Sequence, residues 1–101
     1  MWLMVQFDMP VETPAERLAY RRFRKDLARL GFRRHQKSIY LRWDDTDAQS
    51  EGTAKAMRGL LPGKGDITVL ALSERTMGAA AFYHDGKEAD GPKIPSELAL
   101  F

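Results

Sequence analysis

Two features of this sequence could carry chemistry. One is Asp8, a carboxylate that closes the apolar run over residues 1–7. A carboxylate at the C-terminal end of a buried first strand stands at the sheet edge, where it can hold a hard cation such as Mg2+. Magnesium takes one or two protein carboxylates and completes its shell with water and phosphate oxygens. One Asp per chain is a poor site. Two copies of Asp8 across a dimer axis make a better one, suited to metal-assisted phosphodiester cleavage. The plainer reading is that Asp8 only ends a strand or caps a turn.

The other feature is a band of cations. Between Arg17 and Arg42 lie ten of the sixteen Lys and Arg residues, and Asp26 is the one acid among them. Net charge is only +2, so what matters is how unevenly that charge is spread. Such a band suits a polyanion, because Lys and Arg neutralise phosphates and release counterions whatever the base sequence. Arg17, Arg21, Arg24 and Lys25 fall along one helical stripe, and Arg33, Arg34 and Lys37 follow it. His35 could act as a base or bind phosphate, although a lone His in a strand is more often structural. His84 is a weaker candidate. Ser38 reads first as the cap of a reversal.

Other chemistries are absent from the sequence. With no cysteine there is no disulfide framework and no thiol nucleophile. No P-loop, dinucleotide-binding glycine pattern or His-Glu-x-x-His is present. Gly63-Lys64-Gly65 is too short to signal phosphate binding and reads as a helix-to-strand loop. The opening run lacks a basic leader and is too short to span a bilayer, which points to the cytoplasm.

The elements that must position these residues are legible. Residues 1–8 read as a strand buried on both faces, closed by Met9-Pro10. Thr13, Pro14 and Glu16 form a capping box with proline in the first turn, and Gly31 ends that helix. Ala15, Ala19, Phe23, Leu27 and Leu30 form its core stripe. Residues 32–43 predict two short strands reversing near Gln36-Lys37-Ser38. Asp44, Asp45 and Asp47 suit the start of a second helix, where carboxylates complement the dipole. Ala54, Met57, Leu60 and Leu61 supply its apolar side, and Pro62-Gly63 ends it. Residues 66–72 predict another strand, 73–78 a connector, and 79–84 a fifth strand stopped by Asp85-Gly86. The order predicts an α+β, ferredoxin-like βαββαβ domain with an additional C-terminal strand. The domain is expected over residues 1–84, with a mobile linker and apolar tail over 85–101. Leu98, Leu100 and Phe101 make that tail a candidate for docking on a partner, or equally for folding back onto its own domain or dimer mate.

Across nearly its whole length the chain resembles CRISPR-associated protein two. The resemblance is carried by the opening residues 1–10, by Phe23-Arg24-Lys25 with Leu30-Gly31-Phe32, and by Gln36 to Arg42. It continues through Leu60-Leu61-Pro62, Gly63-Lys64-Gly65, Ala81-Phe82-Tyr83 and the ending Leu98-Ala99-Leu100-Phe101. It implies a homodimer with Asp8 as the magnesium ligand of a nuclease site at the dimer interface. It also implies a scaffold that bridges two copies of a CRISPR integrase and holds duplex DNA during spacer acquisition. The family pattern often has Tyr before that Asp, where this chain has Phe7. Two other readings are a toxin-like endoribonuclease of the same fold acting on RNA without an integrase, and a regulatory module for a small ligand, which the basic band disfavours.

Overall fold

The computed structural model describes residues 1–95 of the 101. The chain runs β1 (Trp2–Asp8), α1 (Pro14–Arg29), β2 (Arg33–Gln36), β3 (Ile39–Trp43), α2 (Asp47–Arg58), β4 (Asp66–Leu72), α3 (Glu74–Gly78), β5 (Phe82–His84) and β6 (Lys87–Ala89). Four strands form one sheet in the order β2-β3-β1-β4. β1 pairs antiparallel with both β3 and β4. This is the ferredoxin-like arrangement predicted from the element order.

Alternation along β1 creates two different faces. Leu3, Val5 and Phe7 point inward and pack with Phe23 and Leu27 of α1, Met57 of α2, Tyr40 and Phe32. Trp2 points outward and packs with Leu41 and Met77, flanked by Met4, Trp43, Phe82 and Ile94. The expectation of burial on both faces therefore holds only for the first half of β1. Gln6 and Asp8 on the outward face are exposed, because α3, β5 and the segment through Ile94 cover only the apolar end of the sheet.

Helix α1 starts where its capping box predicts. Thr13 Oγ1 accepts from Glu16 N–H at 3.1 Å, and Glu16 Oε1 accepts from Thr13 N–H at 2.9 Å and Glu12 N–H at 3.2 Å. The Thr13 backbone donor, aided by Lys64 across the surface, holds the Glu16 carboxyl below the usual glutamate range. Its stabilising contribution is thus complete above the unfolded-state pKa and disappears as pH falls through the lower, folded value. Glu16→Gln is expected to flatten the acid limb of a stability-against-pH curve measured by urea midpoints. Equal slopes for the two proteins would refute this.

Three expectations need correction. Ala15 is exposed and contributes nothing to the α1 core stripe. On α2 the buried residues are Ser50, Thr53 and Met57, while Leu61 lies beyond the helix and is 51% exposed. The cause is Asp44. Its side chain is fully buried and accepts from Arg42 Nε at 2.8 Å, Ser50 Oγ at 3.4 Å and Thr53 Oγ1 at 3.5 Å. The polar side of α2 turns inward to satisfy that carboxylate. Arg42 also donates to the Leu30 carbonyl at the end of α1, so one ion pair joins β3 to both helices.

The third correction concerns the region after β4. Residues 73–78, expected as a connector, form α3, capped by Ser73 accepting from Thr76 N–H at 3.0 Å. The fifth strand begins only at Phe82 and pairs with β6 in a separate two-stranded sheet. Asp85-Gly86, expected to stop the chain's last regular strand, is the turn between them. Their φ angles of 49° and 79° fit a two-residue hairpin turn of the primed type. Residues 87–89 of the expected mobile linker are therefore strand.

The outer strands of the main sheet differ in kind. β2 is short, carries Arg33, Arg34 and His35, and shifts register between Arg34 and Gln36. β4 has seven residues, with Val69 40% and Leu70 42% exposed.

Candidate nucleic-acid interface and carboxylate site

The site begins at the open end of β1. In the ladder Asp8 stands directly opposite Asp66, the first residue of β4. Directly opposed residues in antiparallel strands place their Cβ atoms roughly 4.5–5.5 Å apart. The two exposed carboxylates thus share one end of the outward sheet face, followed by Gln6 opposite Thr68 and Met4 opposite Leu70. Carboxylate oxygens are the donor type that Mg2+ prefers. Among the described residues no cluster of three or more His, Cys, Asp or Glu side chains could hold a metal ion. One chain therefore offers part of a coordination shell. Nothing local in the sequence marks Asp66, because only the pairing register brings it to Asp8.

Phe7, the position where the family pattern often has Tyr, points the other way. Its ring is buried against Phe23, Tyr20 and Tyr40, with centroids 5.2, 5.8 and 5.8 Å apart. A hydroxyl there would enter the inner core, on the opposite sheet face from Asp8. Its absence bears on core packing.

The expected cations fall into two groups. Arg17 Nη1 donates to the Glu12 carbonyl at 2.7 Å and the Val11 carbonyl at 3.2 Å, closing the loop before α1. Arg24 is half-buried, donates from Nε to Tyr40 Oη at 3.1 Å and lies 5.5 Å from the Tyr20 ring centroid. The Tyr40 hydrogen bond raises its pKa further, so its charge is fixed at any working pH. Arg21 and Lys25, one turn apart on α1, are exposed and have no intrachain ion pair or side-chain hydrogen bond among the described residues, and the same is true of Arg33, Arg34 and Lys37.

His35 packs edge-on against Phe82 with centroids 5.3 Å apart, a structural contact between β2 and β5. His84 lies in the exposed hairpin, 3.3 Å from Asp85. Leu98, Leu100 and Phe101 lie outside the described residues. Among those residues no helix is long and apolar enough to cross a membrane.

A ferredoxin-like domain with an open carboxylate end and a free basic helix face is the class of protein that fold and site define. The chain belongs to the CRISPR associated protein Cas2 family, whose model matches residues 1–79. It is 36% identical over 101 residues to the CRISPR-associated endoribonuclease Cas2 of Parvibaculum lavamentivorans, covering all of both chains. Against the protein of that name from Ligilactobacillus salivarius it is 44% identical over 75 residues, 74% of each chain. The crystal structure of Streptococcus pyogenes Cas2 at pH 6.5 superposes with a TM-score of 0.60 at 20% identity, covering 83% of this chain and all of that one.

Proposed function

We propose that this protein is a CRISPR adaptation protein: a cytoplasmic homodimer that grips nucleic acid through its basic surface and carries a Mg2+-dependent endonuclease site built on Asp8. The observation that carries this reading is the pair of free features on one small domain, the cations Arg21 and Lys25 on α1 and the carboxylate Asp8 at the open end of β1. The relatives named as endoribonucleases support the cleavage activity and leave RNA and duplex DNA as alternative substrates. Asp8, with Asp66 beside it, would hold Mg2+, and a second copy's Asp8 would complete the protein's share of the shell. The ion would neutralise phosphate charge and activate water. The outward face fits a second copy because its apolar band continues to the half-exposed Leu70. In adaptation the dimer would bridge integrase dimers and hold duplex DNA, with the tail residues Leu98, Leu100 and Phe101 as docking contacts.

The basic face is tested by Arg21→Glu with Lys25→Glu. Both positions are exposed, so the fold is expected to survive. Affinity for a duplex should fall by at least about tenfold, and the slope of log affinity against log salt should shrink by about one for each phosphate that is no longer neutralised. Unchanged affinity and slope would remove α1 from the interface. Growth arrest on expression, with RNA cleavage that needs no partner, would favour the toxin-like endoribonuclease instead.

A further inference from the structure

We infer that Gly65 is a positioning residue for Asp8, setting where its carboxylate stands relative to Asp66; this rests on the reading of Asp8 as a metal ligand. Gly65 lies in the loop between α2 and β4, immediately before Asp66. Its φ is +91°, a conformation that L side chains rarely adopt. A Cβ added there would lie 2.6 Å from the Asp8 carbonyl oxygen and 3.0 Å from both Met9 Cα and Met9 Cγ. Two of those three atoms are backbone, and Met9 is itself buried in the core, so no flexible side chain can give way. The loop therefore runs against the end of β1 with only a hydrogen where any other residue has a carbon.

The consequence falls on the carboxylates. A side chain at 65 forces apart the Asp8–Met9 backbone and the 65–66 backbone. Those are the two backbone segments that carry the opposed pair Asp8 and Asp66. Whichever of the two segments yields, the spacing of Asp8 and Asp66 changes. Groups that orient a metal ligand typically change metal affinity by about 10–100-fold when altered. Gly63, two residues earlier, is the internal control, because a Cβ there meets nothing within 4 Å.

The test is Mn2+ binding to the full-length protein without nucleic acid, read from the electron paramagnetic resonance of free Mn2+. Wild type, Gly63→Ala, Gly65→Ala and Asp8→Asn are compared, with thermal melts on the same samples. Mn2+ accepts the same hard oxygen donors as Mg2+. Half-saturation in Gly65→Ala is expected to rise about 10-fold or more, while Gly63→Ala matches wild type. Binding that is lost in Asp8→Asn yet equal in wild type and Gly65→Ala overturns the role of Gly65 and leaves Asp8 as ligand. Absent wild-type binding, or binding indifferent to Asp8→Asn, overturns the Asp8 reading and with it this one. Should Gly65→Ala fail to fold, Mg2+ titration of the wild type by 1H–15N NMR decides. Gly65 and Asp8 amides shifting with one midpoint support the coupling, and a static Gly65 beside a shifting Asp8 refutes it.

Discussion

Asp8→Asn is expected to lower Mg2+-dependent phosphodiester cleavage by about 10²-fold or more, a loss of roughly 3 kcal/mol of transition-state stabilisation. Affinity for duplex DNA should be equal to wild type or slightly tighter. Asn keeps the size of Asp and removes a negative charge from an exposed position, so neither folding nor phosphate binding has reason to suffer. Labelled RNA and duplex DNA, each incubated with both proteins and with binding recorded on the same samples, check both halves. If only the wild type cuts while both bind, Asp8 is a working ligand. If neither cuts and both bind, the nuclease half of the proposal falls and the scaffold half stands. Equal cutting by both proteins would place the cleavage activity elsewhere in the molecule.

The second large effect is on stability. Asp44→Ala is expected to cost about 3–5 kcal/mol, as breaking a buried pair does when one partner is left behind. The guanidinium of Arg42 loses its carboxylate and the Ser50 hydroxyl loses its acceptor in the interior, while Thr53 still donates to the Gln49 carbonyl at 3.0 Å. For a domain whose whole stability is about 5–15 kcal/mol, that is a large share. Its neighbour supplies the contrast. Asp45 is exposed and accepts from Trp43 Nε1 at 2.8 Å, so Asp45→Ala should cost no more than about 1–1.5 kcal/mol. Urea unfolding of the two variants measures the difference. A cost for Asp44→Ala within about 1 kcal/mol of that for Asp45→Ala would show that the Arg42–Asp44 pair does not hold the helices to β3.

These two aspartates show what a sequence can and cannot say. Asp44, Asp45 and Asp47 read alike, as acids beginning a helix. One of them is the buried hub of three elements, and only the end of β3 bringing it under α2 makes it so. Short-range signals fare better. The Thr13–Glu16 box sets the start of α1 to the residue, and the Phe23 and Leu27 spacing gives its buried face. Two such signals lie in the sequence with a meaning that the expected connector and strand stop do not capture: Ser73 three residues before Thr76 marks the α3 cap, and Asp85-Gly86 is the dipeptide of a hairpin. The carboxylate end is half legible. Asp8 follows from the length of β1, whereas Asp66 and Gly65 reach it only through strand register and a close backbone approach. The basic band is visible as composition, but the division between Arg17 and Arg24, already engaged, and Arg21 and Lys25, still free, depends on where carbonyls and the Tyr40 hydroxyl fall in space.

The contrast between β2 and β4 bears on how assembly stops. A sheet that can accept a strand on both sides can grow without limit, as fibres do. Here β2 resists addition through its brevity, its charge and its shifted register, the devices by which natural sheets avoid joining edge to edge. β4 has neither the brevity nor the shifted register, and its one charge, Asp66, stands at its first residue. Growth by strand addition is therefore open in one direction only, and a twofold arrangement that covers β4 in each copy leaves nothing to extend. On that basis the protein is expected to form a closed, finite particle rather than a filament.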